Sequence, residues 1–323
     1  MSLLSPDGAQ WQRNLEALRR HAGQLLLEAL GHELTIEVML NPDGQLWQER
    51  LGEEMKTIGT MDRHKAEAMI RVVASTLNQT ITPDNPILDN AEFPLDGSRF
   101  SAALPPVVSA PTFCLRRRAS KVFSMADYVA SRTMTEQQKD VLCRTISEHK
   151  NIIVIGGTSS GKTTLTNALI GEIVRQNPKE RIFIFEDTQE IQCNGENALF
   201  FHTTDTTPMS RLLMLSLRMR PDRICVGEVR NAYALDLMDC WNTGHDGGVA
   251  TIHATNAERG LSRLASLISR NPFRPAVIEE VIGESVQRIV FIKKTPEGRR
   301  IQTILSVDGY AKTRKEYEIK QLA

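Results

Sequence analysis

No charge of one sign dominates this chain, which sets 39 Lys and Arg against 39 Asp and Glu. Proteins that grip nucleic acid as a polyanion usually carry a basic excess, so the balance weighs against direct nucleic-acid binding. Cysteine is sparse: Cys114, Cys143, Cys193, Cys225 and Cys240 are odd in number, widely spaced and never form C-x-x-C. That pattern argues against a disulfide framework or a zinc ribbon and fits a reducing compartment. No apolar run reaches the ~18 residues of a membrane span. The first residues, through Asp7 and Arg13, hold no hydrophobic stretch of signal-peptide length. Repeats and low-complexity segments are missing too. The expectation is a soluble, cytoplasmic protein, at most peripheral to a membrane.

What is present suffices for an ordinary core. The 323 residues are 41% apolar and 24% charged, enough for two domains of roughly 100–200 residues each. One asymmetry stands out. From Arg288 onward there are nine Lys or Arg and four Asp or Glu, an excess of five. Such a tail can meet an anionic membrane surface, although surplus surface lysines are common.

The first part of the chain mixes patterns. Trp11, Leu15, Leu18, Ala22, Leu25, Leu26 and Ala29 fall at helical spacing. Residues 34–38 alternate as a half-buried strand, and Asn41-Pro42-Asp43-Gly44 reads as a turn into another. Residues 64–79 look helical, the Pro-, Asp- and Asn-rich stretch 83–111 contains a strand near 99–104, and 113–118 is a further strand. This predicts a small α+β domain over residues 1–130. A charged helix then spans about 135–149, and the character changes. Short, unalternated apolar runs at 152–155, 182–185, 224–226, 249–252 and 289–292 are separated by helical stretches. Residues 131–323 therefore read as an α/β domain whose parallel sheet is covered on both faces, with its active residues at the carboxyl ends of the strands.

The run Gly156-Gly157-Thr158-Ser159-Ser160-Gly161-Lys162-Thr163, followed by Thr164, satisfies G-x-x-x-x-G-K-[ST] between a strand and a helix. Its glycines let backbone N–H groups curl around phosphates at a helix N-terminus. Lys162 can reach the β- and γ-phosphates, and the Thr163 hydroxyl can ligate Mg²⁺. Two later strands end in acids: 182–185 runs into Glu186-Asp187-Thr188-Gln189-Glu190, and 223–227 into Glu228-Val229-Arg230. A carboxylate there can hold the hydration shell of Mg²⁺ or orient the attacking water, and spacing does not say which acid is the base. His245 and His253, eight residues apart, lack a third ligand nearby and do not read as a metal pair. His253 ends a strand, where it can sense a γ-phosphate or serve as a hydrogen-bonded core residue. Arg116-Arg117-Arg118 is either a solvated run or a source of an arginine for the phosphates, as is Arg99. No N-K-x-D element for guanine occurs, and nothing suggests a kinase acceptor pocket. A DNA-dependent helicase or packaging motor and a nucleotide-held assembly protein are the other classes with such a loop.

Taken together these blocks resemble the secretion ATPases of type II and type IV systems, including pilus motors. The resemblance covers nearly the whole chain: the Walker A loop at 156–163, the Asp box at 186–190, the Walker B region at 217–230 with Glu228, and the His box at 243–253. It implies a RecA-like P-loop ATPase domain behind a smaller N-terminal α+β domain. It also implies ATP and Mg²⁺ as ligands and a homohexameric ring at the cytoplasmic face of the inner membrane, working with inner-membrane proteins of a secretion or conjugation complex. In this family arginines of the N-terminal domain approach the nucleotide, and Arg99 and Arg116 match them by position. Lys162, Glu186, Glu228 and His253 match the catalytic positions, and Thr163 and Glu228 the metal positions. The absence of a tetracysteine zinc motif and of a long N-terminal extension favours the compact conjugation-type branch.

Overall fold

The computed structural model describes residues 8–117, 122–204 and 206–323. The chain divides into two compact units, Met1–Ser120 and Lys121–Ala323. The first contains α1 (Gly8–Gly31), β1 (Thr35–Leu40), β2 (Gln45–Arg50), β3 (Lys56–Thr60), α2 (Arg63–Thr76), β4 (Ile87–Glu92), β5 (Arg99–Ala103) and β6 (Thr112–Arg116). Its strands form one antiparallel sheet in the order β3-β2-β1-β6-β5-β4. Helix α2 starts where the Asp62 carboxylate accepts the backbone N–H groups of His64 and Lys65, satisfying donors that the first turn leaves over. Leu18 and Leu26 of α1 and Met69, Ile70 and Val73 of α2 pack with Val38, Phe100 and Leu115 into one core. β5 and β6 alternate buried and half-buried residues, as a sheet with one covered face should.

The uncovered face carries a row of charge. Glu92 pairs with Arg99, Arg99 with Arg116, and Arg116 with Glu37 across four neighbouring strands. Opposed like charges cost stability in a sheet, and here each arginine has a glutamate on its other side. Cys114 donates to Glu37 Oε1 at 2.7 Å. Burial, then that hydrogen bond, push its thiol up to about 12, so it is not a thiolate nucleophile at neutral pH. Arg118 lies outside the described residues.

The second unit begins earlier than the sequence pattern suggested. α3 (Met125–Ala130), which the reading above left in the first domain, buries Met125 and Tyr128 beside Leu142 and Ile146 of α4 (Glu136–Ser147). After it come β7 (Ile152–Gly156), α5 (Lys162–Gln176), β8 (Ile182–Glu186), β9 (Ala198–His202), α6 (Met209–Ser216), β10 (Arg223–Val226) and α7 (Ala234–Asn242). The unit ends with β11 (Val249–His253), α8 (Ala257–Ile268), α9 (Ile278–Ser285), β12 (Arg288–Thr295), β13 (Gly298–Ala311) and β14 (Glu316–Gln321). The sheet order is β14-β13-β12-β7-β11-β10-β8-β9. From β12 to β9 all neighbours are parallel.

Alternate residues of the same strands serve two cores. Ile153, Ile155, Phe183, Phe185, Ile224 and Val226 pack with α6, α7, α8 and α9. Ile152, Val154, Ile182, Ile184 and Cys225 pack with α3, α4 and α5. Cover on both faces is why these runs show no alternation. The five apolar runs form parallel neighbours as expected, and β13 and β14 extend the sheet antiparallel beyond β12. The basic residues from Arg288 onward thus lie on three strands and in the turn between β13 and β14, which holds Lys312, Arg314 and Lys315, with exposed positions such as Lys293, Lys294 and Lys320.

Arg223 at the start of β10 is completely buried. Its guanidinium pairs with Glu180 and donates to Gly247 O at 2.9 Å and Ile146 O at 3.1 Å. The cluster ties the end of α4 and the approaches to β8 and β11 together. Removing one partner of a buried pair strands the other charge, so Arg223→Ala should destabilise the protein by about 3–5 kcal/mol. Urea unfolding of the full chain checks this, and a loss below about 1 kcal/mol, the range of exposed pairs, would contradict it.

Candidate active site

Strand β7 ends at Gly156 and α5 begins at Lys162, so the phosphate loop lies at the carboxyl edge of the sheet. Two of its glycines have steric reasons. A Cβ on Gly156 would stand 2.3 Å from Ser160 Oγ and 2.5 Å from Ile292 O. Gly161 caps α5 in the left-handed region at φ 96°, with no side chain closing the helix end, which leaves first-turn N–H groups for an anion. Ser160 Oγ is buried and without a hydrogen-bond partner. Ser159 also has a positive φ, Gly157 has open space at its Cβ position, and Thr158 and Thr164 complete the loop and the helix's first turn. This tight glycine cradle, with an unsatisfied buried hydroxyl, fits a phosphate chain.

Lys162 is only 7% exposed. Its Nζ donates to Gly157 O at 2.9 Å and lies 3.3 Å from His253 Nε2. The parallel register sets His253 beside Gly156, which is how residues far apart in sequence meet. His253 Nε2 is in turn 3.3 Å from Glu228 Oε1, so the imidazole bridges the lysine and the acid. The other Glu228 oxygen accepts from Arg230 Nη2 at 2.7 Å, and Arg230 Nη1 stands 3.9 Å from Asp187 Oδ2. Burial alone would raise the Glu228 pKa, but the Arg230 hydrogen bond and the charges of Arg230, His253 and Lys162 outweigh it and hold the carboxyl below its ordinary value.

Glu186 is almost fully buried, and its Oε1 accepts the backbone N–H of Glu190 at 3.0 Å and of Ile191 at 2.8 Å. It lies against Gly227, where a Cβ would come within 3.1 Å of its Cγ. The loop it shapes delivers Glu190, whose Oε2 accepts from Thr163 Oγ1 at 3.2 Å. Hydroxyl and carboxylate oxygens around Thr163 are the hard donors that suit Mg²⁺, an ion that completes its shell with water and phosphate. His245 precedes β11 and His253 ends it, with five extended residues from Val249 to His253 in the strand. Arg99 and Arg116 lie in the first unit, directly opposed on β5 and β6.

Three contributors escaped the sequence reading as site residues. Glu190 closes the run 186–190, and nothing in its spacing distinguishes it. Arg230 follows Glu228 by two positions, a spacing that keeps extended side chains on one side, and that signal was available. Arg299, whose Nε donates to Ser159 O at 3.3 Å, arrives from the β12–β13 hairpin and has no local signature.

The fold and this loop define a phosphate-loop α/β protein. The chain belongs to the type II/IV secretion system protein family, which matches residues 13–303. It is 47% identical over 318 residues to a probable conjugal transfer protein TrbB of Sinorhizobium fredii, covering 95% of this chain and 97% of that one. It is 46% identical over 298 residues to the conjugal transfer protein TrbB of Rhizobium radiobacter, covering 92% and 91%. The solved structure of the Legionella pneumophila ATPase DotB is 19% identical and superposes with a TM-score of 0.61 over 92% of this chain and 81% of that one, a likeness of fold.

Proposed function

We propose that this chain is a Mg²⁺-dependent ATPase that converts ATP and water to ADP and phosphate as the hexameric motor of a conjugative type IV secretion system. It would power pilus assembly, substrate transfer or both. The observation that carries the reading is the meeting of Lys162, His253 and Glu228 at the phosphate loop, in a chain similar to proteins named for conjugal transfer. The second unit is then the RecA-like motor domain. The homohexameric ring, the inner-membrane partner proteins and the peripheral position on the cytoplasmic side follow from the family resemblance.

In this reading the loop N–H groups and Lys162 hold the β- and γ-phosphates, and Thr163 with Glu228, through water, holds Mg²⁺. Bound there, the ion would supply charge neutralisation for the phosphates. Glu228 is the candidate to orient and deprotonate the attacking water, because its side chain keeps 23% exposure, whereas Glu186 is buried and committed to backbone N–H groups. His253, touching both Lys162 and Glu228, reports the γ-phosphate to the rest of the fold. Arg99 and Arg116 are the arginines proposed to reach the nucleotide from the first unit. Loss of such a residue costs about a thousandfold in related phosphoryl transfers, so hydrolysis unchanged in Arg116→Ala would end that assignment.

The depressed Glu228 pKa has a pH consequence. A group lowered on folding contributes stability above its ordinary value near 4.5, lost only as pH falls through the lower folded value. Activity that needs the carboxylate should likewise persist below the usual glutamate range. Arg230→Gln removes the two largest influences that lower the Glu228 pKa, so the acid limb of kcat/KM should move to higher pH. An unmoved limb would show that Arg230 does not tune Glu228.

Conjugative transfer from a donor lacking this protein tests the biological role. Wild type supplied in trans should restore transfer and Glu228→Gln should not. Full restoration by Glu228→Gln would sink the motor reading.

A further inference from the structure

Strand β12 runs parallel to β7, with Arg288 opposite Ile152 and Phe291 opposite Ile155. β7 stops at Gly156, while β12 continues to Thr295 before turning into β13. At about 3.3 Å per residue, the end of this hairpin stands past the end of β7, beside the phosphate loop. The approach is close. Ile292 O crowds the Cβ position of Gly156, and Arg299 Cδ lies 2.8 Å from the Cβ position of Gly161. The hairpin end carries Lys293, Lys294, Arg299 and Arg300 against the single acid Glu297. Arg300 turns its guanidinium back onto Arg299 O and Glu297 O, and the Glu297 carboxylate accepts from Thr295. Arg299 reaches the loop, through its Nε bond to Ser159 O.

The sheet order places β12 and β11 on opposite flanks of β7. The β11 flank holds His253 and, one strand further, Glu228, the groups suited to the metal, the attacking water and the γ-phosphate. On the β12 flank the side chain that meets the loop is that of Arg299. We infer that Arg299 is a nucleotide-binding residue whose guanidinium serves the α-phosphate and nucleoside end of the ligand, not its γ-phosphate. The inference rests on the phosphate-loop site proposed above. One N–H is committed to Ser159 O, and the remaining donors form a planar, permanently charged fork of the kind that matches phosphate oxygens. Because the same bond anchors the hairpin to the loop, a purely mechanical role is the competing account.

Binding of fluorescent ADP and of a non-hydrolysable ATP analogue separates the two. The full-length wild type would be compared with Arg299→Ala, Arg299→Lys and Lys162→Ala, with steady-state kinetics and thermal unfolding of each. Arg299→Ala should weaken ADP and the ATP analogue equally, by about tenfold. KM should rise by a similar factor while kcat stays within roughly twofold, the signature of binding lost alike in ground and transition states. Arg299→Lys should recover part of the affinity by keeping the charge. Unchanged affinities, a loss confined to the ATP analogue with a fall in kcat, or a lowered unfolding temperature without weaker ADP binding would each overturn the inference. A wild type that binds neither nucleotide would instead remove the site itself, and this role with it.

Discussion

Lys162→Ala should cost the protein its nucleotide affinity by about 10- to 100-fold, the worth of a hydrogen bond to a charged group. It should lower turnover by a further factor of about 10²–10³, as the loss of one preorganised donor to a developing charge does. The side chain is nearly buried, donates to Gly157 O and lies 3.3 Å from His253 Nε2. A nearly buried ammonium beside the glycine loop and the first turn of α5 is placed to meet an anion. The fold should survive the change, because α5 is carried by Leu165, Leu169, Ile170 and Ile173 in the core. Equilibrium binding of fluorescent ADP, with circular dichroism as the control for folding, reads the result. Wild-type affinity in Lys162→Ala would refute the phosphate-site assignment.

Glu228→Gln should separate binding from chemistry. The amide is nearly isosteric and still offers an oxygen to Arg230, so nucleotide affinity should remain. Hydrolysis should fall by a factor of about 10² to 10⁴, the usual contribution of a positioned general base. Single-turnover hydrolysis beside ADP binding distinguishes the two quantities. The corresponding Glu186→Gln is a different experiment. It disturbs a carboxylate that accepts two backbone N–H groups, so its first effect should fall on the 187–191 loop and on the approach of Glu190 to Thr163. If Glu186→Gln proved the more damaging to single-turnover chemistry with binding intact, the roles of the two acids would exchange.

Much of this site could be read before any fold was known, for a local reason. Strand, glycine loop and helix follow one another in the chain, so residues 151–176 carry the phosphate-loop pattern within one segment. Glu186, Glu228 and His253 are legible by the same logic, as polar residues ending apolar runs. What sequence could not supply was contact between separate segments. Glu190 meets Thr163 only because Glu186 folds the intervening loop, and Arg299 meets Ser159 only because β12 outruns β7. The strands β13 and β14 were missed because one face of an antiparallel extension is solvated, which reads as charge rather than as strand. β3 and β4 are short and sit among turn residues, and six-residue α3 gives too few turns for a periodic signal. Its burial against α4 moves the unit boundary ahead of residue 130.

Steady-state Mg-ATP hydrolysis by the purified full-length chain without nucleic acid, with its oligomeric mass recorded in the same buffer, tests the central claim most directly. The account predicts turnover by a hexamer, stopped by removing Mg²⁺ and not increased by DNA. An intact hexamer that binds ATP yet turns it over only when DNA is added would contradict it.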